Sequence, residues 1–239
     1  MKTAVIVAAG LSSRLYPLTE TTPKCLLPIT NEKILERNLR LLKANGIENI
    51  FIVTGYLKHM IEEVAGEMAT TIYNPYFKYC NNMGSLYCMK NLLQETPFIY
   101  LHGDVVYSEK LLPTFLQGME SSNAIDLAID FNEVDEEAMK VRINANNELI
   151  ESNKEISLTE SAGEWIGLAA IHKPYTVFNY IEEALVDEKL TVYDTYAFTN
   201  MARDGHKIKC HSIQGEPWSE IDFIKDYEKA KELFAHESI

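Results

Sequence analysis

The chain has 239 residues, 46% hydrophobic and 24% charged, enough to bury a sizeable core in one α/β domain. Its net charge of −13, from 22 basic against 35 acidic residues, leaves no surplus of Lys and Arg to neutralise phosphate chains. General nucleic-acid binding and attachment to anionic membranes are therefore excluded.

Reading from the N-terminus, Ala4–Val7 is a short apolar run expected to be a strand buried on both faces. It is too short for a secretory signal core, and Ser12, Ser13 and Arg14 follow at once. Ile34, Leu35, Leu39 and Leu42 recur at helical spacing, with Gly46 where a C-terminal cap belongs. A strand over 49–53, a helix over 59–66 and a short strand over 71–73 come next. Residues 85–93 read as one helix with Leu86, Met89, Leu92 and Leu93 inward, and 98–101 as a strand running into His102-Gly103-Asp104. Strands alternating with helices in this way predict a mostly parallel sheet with right-handed crossovers, whose ligands gather at the carboxyl ends of its strands.

The second half is less regular. A strand is expected over 124–129, a hairpin over 140–156 turning near Asn146-Asn147, and a strand over 165–171. A helix over 176–186 and an amphipathic tail helix through Ile224, Tyr227, Ala230 and Phe234 complete the reading. No repeat, low-complexity run or linker interrupts the chain. One domain over 1–239 is expected, with its catalytic core toward the N-terminus, over about 1–130, and acceptor-side elements later, over about 131–239. Four scattered cysteines without C-x-x-C spacing read as reduced thiols, and no run approaches the ~18 apolar residues of a membrane span. The expected location is cytoplasmic.

The chemistry concentrates in "AAGLSSRLYPLTETTPK", residues 8–24. A strand ending at Ala8-Ala9-Gly10 exposes backbone N–H groups, and small residues let a ligand approach them. Arg14 offers a planar fork for phosphate oxygens, and Lys24, after the rigid Pro23, a second cation. Either alone reads as a solvated surface residue; together, directly after the first strand, they point to a polyphosphate. No G-x-G-x-x-G or G-x-x-x-x-G-K-[ST] occurs, so dinucleotide and P-loop chemistry fall behind. Asp104 stands at a strand end, and Glu220 and Asp222, two apart in an extended segment, face one side. Asp104 with Asp222 would make a Mg²⁺ site completed by water and substrate phosphate, Glu220 serving as a further ligand or supporting group.

Gly10–Arg14 followed by Pro23-Lys24, the Gly103-Asp104 pair and Glu220-x-Asp222 resemble, in that order, the nucleotidyltransferase family that activates phosphorylated small molecules with nucleoside triphosphates. Within it, "GLSSRLYPLTETTPKCLLPI", "YNPYFKYCNNMGSLYCMKNLL", "AGEWIGLA" and "EIDFIKDYEKA" look most like the cytidylyltransferases for phosphocholine and 2-aminoethylphosphonate. The resemblance implies a Rossmann-like three-layer α/β sandwich of the nucleotide-diphospho-sugar transferase type. It implies CTP and a small phosphorylated or phosphonate acceptor as partners, and Mg²⁺ as cofactor. Ala8, Ala9 and Gly10 would contact the nucleotide through their backbone, Arg14 the β- and γ-phosphates, and Lys24 the α-phosphate and the attacking group. Asn82 and Ser85 would lie in the loop against the base, Ser85 reading cytosine. Asp104 and Asp222 would carry Mg²⁺, and Lys154 would match a second lysine near the acceptor. Where relatives commonly have a second loop glycine this chain has Ser12, a disfavoured residue if the position needs a positive φ, by about 1–2 kcal/mol.

For the acceptor, Trp165 or Trp218 together with Glu164 or Asp194 is expected to form a pocket for a cationic headgroup, the alternative being that both tryptophans only pack. A sugar-1-phosphate nucleotidyltransferase would share the loop and metal site, and a silent nucleotide-binding module would bind CTP without turnover. The sequence leaves a homodimer open.

Overall fold

The computed structural model describes residues 1–132 and 134–236. In chain order the elements are β1 (Thr3–Ala8), β2 (Pro28–Ile29), β3 (Glu32–Lys33), α1 (Ile34–Ala44), β4 (Asn49–Thr54), α2 (Lys58–Ala65) and β5 (Thr70–Tyr73). Then come α3 (Asn82–Tyr87), α4 (Lys90–Leu93), β6 (Phe98–His102), β7 (Val105–Tyr107), α5 (Leu111–Gly118) and β8 (Ile125–Asp130). The remainder is β9 (Lys140–Ile143), β10 (Leu149–Asn153), β11 (Gly163–Ile171), α6 (Pro174–Val186), α7 (Thr195–Arg203), β12 (Ile208–Ser212), β13 (Trp218–Glu220) and α8 (Ile224–Leu233).

A nine-stranded sheet runs β10-β9-β11-β6-β1-β4-β5, with β8 paired to β11 and β12 to β8. The pairs β1/β4, β1/β6, β4/β5 and β8/β12 are parallel, while β11 is antiparallel to β6, β8 and β9. Among the described strands of this sheet only β11 and β10 therefore oppose the common direction. The sheet is mostly parallel, as the alternation of strands and helices requires.

β1 shows why the molecule has three layers. Alternate side chains leave opposite faces of a strand. Val5 and Val7 join a buried cluster with Leu86 of α3, Phe178 of α6 and Phe198 of α7. Ala4 and Ile6 join another with Leu39 of α1, Ile61 of α2 and Phe115 of α5. Helices thus cover both faces. A smaller cluster seats Tyr227, Ala230 and Phe234 of the tail helix against Leu15, Ile29 and Ile34.

Two expectations need correction. Residues 85–93 form not one helix but α3 and α4, parted at Cys88-Met89, and Leu92 faces outward. Ile224 of the tail helix is also exposed, because the face buried is the one carrying Tyr227 and Ala230. The hairpin over 140–156 forms β9 and β10 with Asn147 at φ 55 in its turn, and Gly46 follows α1 at φ +79. The β2/β3 hairpin, β7, α5, α7 and β12 carry little periodicity of their own, and nothing in the sequence reading anticipates them.

Candidate active site

The chain after β1 turns through Ser12, which adopts the left-handed conformation (φ 54, ψ 37) before a tight turn over Ser13–Leu15. The Ser12 carbonyl accepts from the Thr19 hydroxyl at 2.6 Å and from the Leu15 amide at 3.1 Å. Next to it, Gly103 directly follows β6, and a Cβ there would meet the Val7 carbonyl oxygen at 2.8 Å and the Ala8 Cβ at 2.9 Å. Only glycine lets the carboxyl ends of β1 and β6 close up so tightly. Asp104 is thereby delivered beside the loop.

A cavity of about 280 Å³ opens at this edge of the sheet. It is lined by Ala8, Ala9, Gly10, Ser12, Arg14 and Lys24, with the carboxylates of Asp104, Glu220 and Asp222. Asn82, His102, Met139, Lys154, Trp165 and Tyr193 line it too. Sequence-distant carboxylates meet because β13 pairs antiparallel with β7: Glu220 lies opposite Val105, and the Ile221 amide donates to the Asp104 carbonyl at 3.1 Å.

Charges are matched closely here. The Lys24 ammonium lies 2.6 Å from Asp104 Oδ2 and 3.0 Å from Asp222 Oδ1, and Arg14 Nη2 lies 2.9 Å from the same Asp222 oxygen. The Arg14 guanidinium also covers the Phe223 ring at 5.1 Å. Burial alone would lower the Lys24 pKa, but the carboxylates of Asp104, Asp222 and Glu220 outweigh it and raise it. For Asp104, burial is likewise outweighed by Lys24 and His102, and its carboxyl is held low. Glu220 forms no close ion pair among the described residues, and Lys24 and His102 offset its burial only in part. Burial, then the charges of Asp104 and Asp222, push it up to about 8.

His102 lines the cavity together with these carboxylates. Its Nε2 lies 2.9 Å from Asp194 Oδ2, which also accepts from Tyr100 Oη at 2.6 Å. Burial lowers its pKa, yet Asp194 and then Asp104 prevail, and His102 is raised to about 9. Trp165 packs edge-on against it at 4.9 Å, and Gly167 (φ +77) leaves the room, since a Cβ would lie 2.8 Å from His102 Nδ1.

A divalent cation fits this donor set. Among the described residues Asp104 Oδ1 is buried without a hydrogen-bond partner, and donor atoms of His102, Asp104 and Glu220 lie within 4.8 Å of one another. Asp104 and Glu220 offer hard oxygen donors, whereas the imidazole is turned to Asp194, and Asp222 is not one of these three. Lys24 now bridges the two aspartates, as a cation between them would.

The structure thus brings together Ala8, Ala9, Gly10, Arg14, Lys24, Asn82, Asp104, Lys154, Trp165, Glu220 and Asp222. Ser85 is not among them: it is buried inside α3, where its hydroxyl accepts from Asn74 Nδ2 at 3.1 Å. Trp218 stands off the cavity wall, donating Nε1–H to Asp130 Oδ2 at 2.8 Å. Glu164 faces Asp135 and Asp130, and burial followed by those charges raises it to about 7. Asp194 is fully buried behind His102, caps α7 through the Thr195 amide, and has no oxygen left for a headgroup. His102 and Met139 are additions that the sequence did not single out, with His102-Gly103-Asp104 at a strand end as the available signal for His102; Tyr193 stands in the aromatic-acidic stretch with Asp194 and Tyr196.

The sequence profile of the nucleotidyl transferase family matches residues 3–140, more than half of the chain. The choline-phosphate cytidylyltransferase of Streptococcus pneumoniae is 26% identical over 98% of this chain and 99% of its own. The CTP:phosphoglutamine cytidylyltransferase of Campylobacter jejuni is 25% identical over 94% of this chain and 97% of its own. Among solved structures, the inositol-1-phosphate CTP transferase from T. maritima superposes with a TM-score of 0.85 at 20% identity, covering 98% of this chain and 95% of that one. On the profile match over more than half of its length, the chain belongs to the nucleotidyl transferase family.

Proposed function

We propose that the protein is a Mg²⁺-dependent cytidylyltransferase that transfers CMP from CTP to a small phosphorylated or phosphonate amino-alcohol, phosphocholine or 2-aminoethylphosphonate, releasing pyrophosphate. The observation that carries this reading is the pairing of Arg14 and Lys24 with Asp104 and Asp222 in one cavity at the ends of β1 and β6. Two full-length relatives whose names specify CTP chemistry support the choice of nucleotide.

In this reading the triphosphate lies along Ala8–Arg14, where backbone N–H groups and the guanidinium meet its charge. Lys24 reaches the α-phosphate and the incoming oxygen. That oxygen, from the acceptor phosphate or phosphonate, attacks the α-phosphorus in line; the new P–O bond forms as the bond to the pyrophosphate oxygen breaks. The acceptor group is already ionised, so no proton has to be removed, and positioning with charge neutralisation supplies the catalysis. Asp104 and Asp222, with Glu220, would hold Mg²⁺, which when bound neutralises phosphate charge and orients it. The acceptor lies toward Lys154, Trp165 and Tyr193. Of the two tryptophans, Trp165 is the one whose place suits a headgroup.

All four cysteines are free, which suits a reducing cytoplasm. Among the described residues, no helix is long and apolar enough to cross a membrane. Pyrophosphate release measured with Mg²⁺, crossing CTP, UTP, dTTP and ATP against phosphocholine, 2-aminoethylphosphonate and glucose 1-phosphate, tests the reading. Turnover is expected with CTP and an amino-alcohol acceptor; turnover only with glucose 1-phosphate would discard the headgroup assignment.

A further inference from the structure

Lys140 opens β9 and is fully buried. A buried ammonium needs compensation, ordinarily from a carboxylate. Here, among the described residues, none is in ion-pair reach; instead Nζ donates to two backbone carbonyls, that of Glu136 at 2.8 Å and that of Lys154 at 2.8 Å. Those carbonyls belong to separate segments. Glu136 lies in the loop between β8 and β9, and Lys154 immediately follows β10.

Both segments reach the acceptor side of the cavity. Met139 and Lys154 are part of its wall. Lys154 Nζ stands over the Tyr193 ring at 5.5 Å and 3.6 Å from Glu137 Oε2. Its backbone leaves β10 through a turn in which the Asn153 side chain accepts from the Glu155 and Ile156 amides at 2.8 and 2.9 Å. The β9/β10 ladder sets Asn153 opposite Lys140, and the Lys154 ammonium reaches Glu137, so the two segments run side by side. The Lys140 ammonium adds a tie at the end of that ladder, holding the carbonyl of Lys154 and the Glu136 loop to one point.

We infer that Lys140 is a positioning residue for the acceptor: its ammonium clamps the Lys154 backbone to the loop over 134–138, so that Lys154 and Tyr193 face the cavity at a fixed distance from Lys24. The inference rests on the proposed role of Lys154 toward the acceptor. Lys140 itself touches no substrate. Met has nearly the length of Lys and no charge, so Lys140→Met fills the same space without the clamp, and Lys140→Gln restores one donor.

The test is steady-state kinetics with CTP and whichever acceptor turns over, for Lys140→Met, Lys140→Gln, Lys154→Met and the double Met variant. Lys140→Met is expected to raise the acceptor KM on the order of tenfold to a hundredfold, the cost of a misplacement of about 1 Å. The CTP KM should stay within about twofold, since its loop is built on β1 and α1. Lys140→Gln should recover part of the loss. Because the clamp acts through Lys154, the double variant should bind acceptor no worse than Lys154→Met alone. A Lys140→Met effect equal on both substrates, or one that multiplies with that of Lys154→Met, would overturn the clamp and leave a merely structural lysine. A silent Lys154→Met beside an effective Lys140→Met would instead overturn the role of Lys154, and with it the route by which Lys140 acts.

Discussion

Lys24→Met removes the one ammonium that bridges Asp104 and Asp222, 2.6 and 3.0 Å from their oxygens and with its side chain 12% exposed. Breaking a buried ion pair from one side costs about 3–5 kcal/mol, because the remaining charge stays buried without its partner. Two features soften that here. Arg14 still holds Asp222, and Glu220, raised to about 8, is largely protonated at neutral pH. A loss of roughly 2–4 kcal/mol is therefore expected without metal, which for a chain of this size lowers Tm by roughly 5–15 °C. Differential scanning calorimetry reads it directly. Added Mg²⁺ should return part of the loss, by binding the folded site and not the unfolded chain. Lys24→Met with Asp104→Asn should be more stable than Lys24→Met alone, since the charge left behind is then gone. In turnover the same substitution removes a preorganised cation from the reacting phosphates, and kcat should fall about 10²–10³-fold. A Tm lowered by less than about 2 °C together with kcat within about tenfold of wild type would refute the assignment of Lys24 as both bridge and catalyst.

Two other substitutions probe the neighbourhood. Ser12→Gly should raise stability by about 1 kcal/mol in urea denaturation, because the left-handed φ of 54 strains serine and not glycine; no gain would mean that the loop relaxes without cost. Glu164 is raised in the folded state from 4.5 to about 7, so the stability linked to its protonation is present below 4.5 and lost as pH rises through 7. Glu164→Gln should therefore stabilise the protein above pH 7, by at most about 3 kcal/mol, and leave it unchanged near pH 4; equal effects at both would assign the change to packing.

What was legible in the sequence was what the chain encodes locally. Ala4–Val7 followed by small residues, Arg14 and Lys24 reads as a strand opening into a phosphate loop, because strand end, turn and cations lie within one short stretch. The doubt over Ser12 was also local, and its φ of 54 shows that the position does take the left-handed conformation. Glu220 and Asp222 could be placed on one face of an extended segment, but their meeting with Asp104 depends on β13 pairing with β7, a contact no local pattern encodes. Ser85 illustrates the limit from the other side: the resemblance implied a base contact, while α3 turns its hydroxyl inward to Asn74. Asp194 looked like a free acid beside tyrosines, yet its oxygens are taken by Tyr100 and His102, residues of a distant strand. Lys140 gave no signal, since a lysine early in a strand ordinarily points to water, and its burial depends on the Glu136 and Lys154 carbonyls that the fold brings to it.

The most direct measurement is product analysis of a reaction containing CTP, Mg²⁺ and phosphocholine or 2-aminoethylphosphonate, resolving the cytidine species alongside pyrophosphate. One CMP-linked acceptor formed for each pyrophosphate released is the expected result. CTP bound by the protein with no pyrophosphate from either acceptor, or a linked product only with a hexose 1-phosphate, would contradict the proposed transfer to an amino-alcohol.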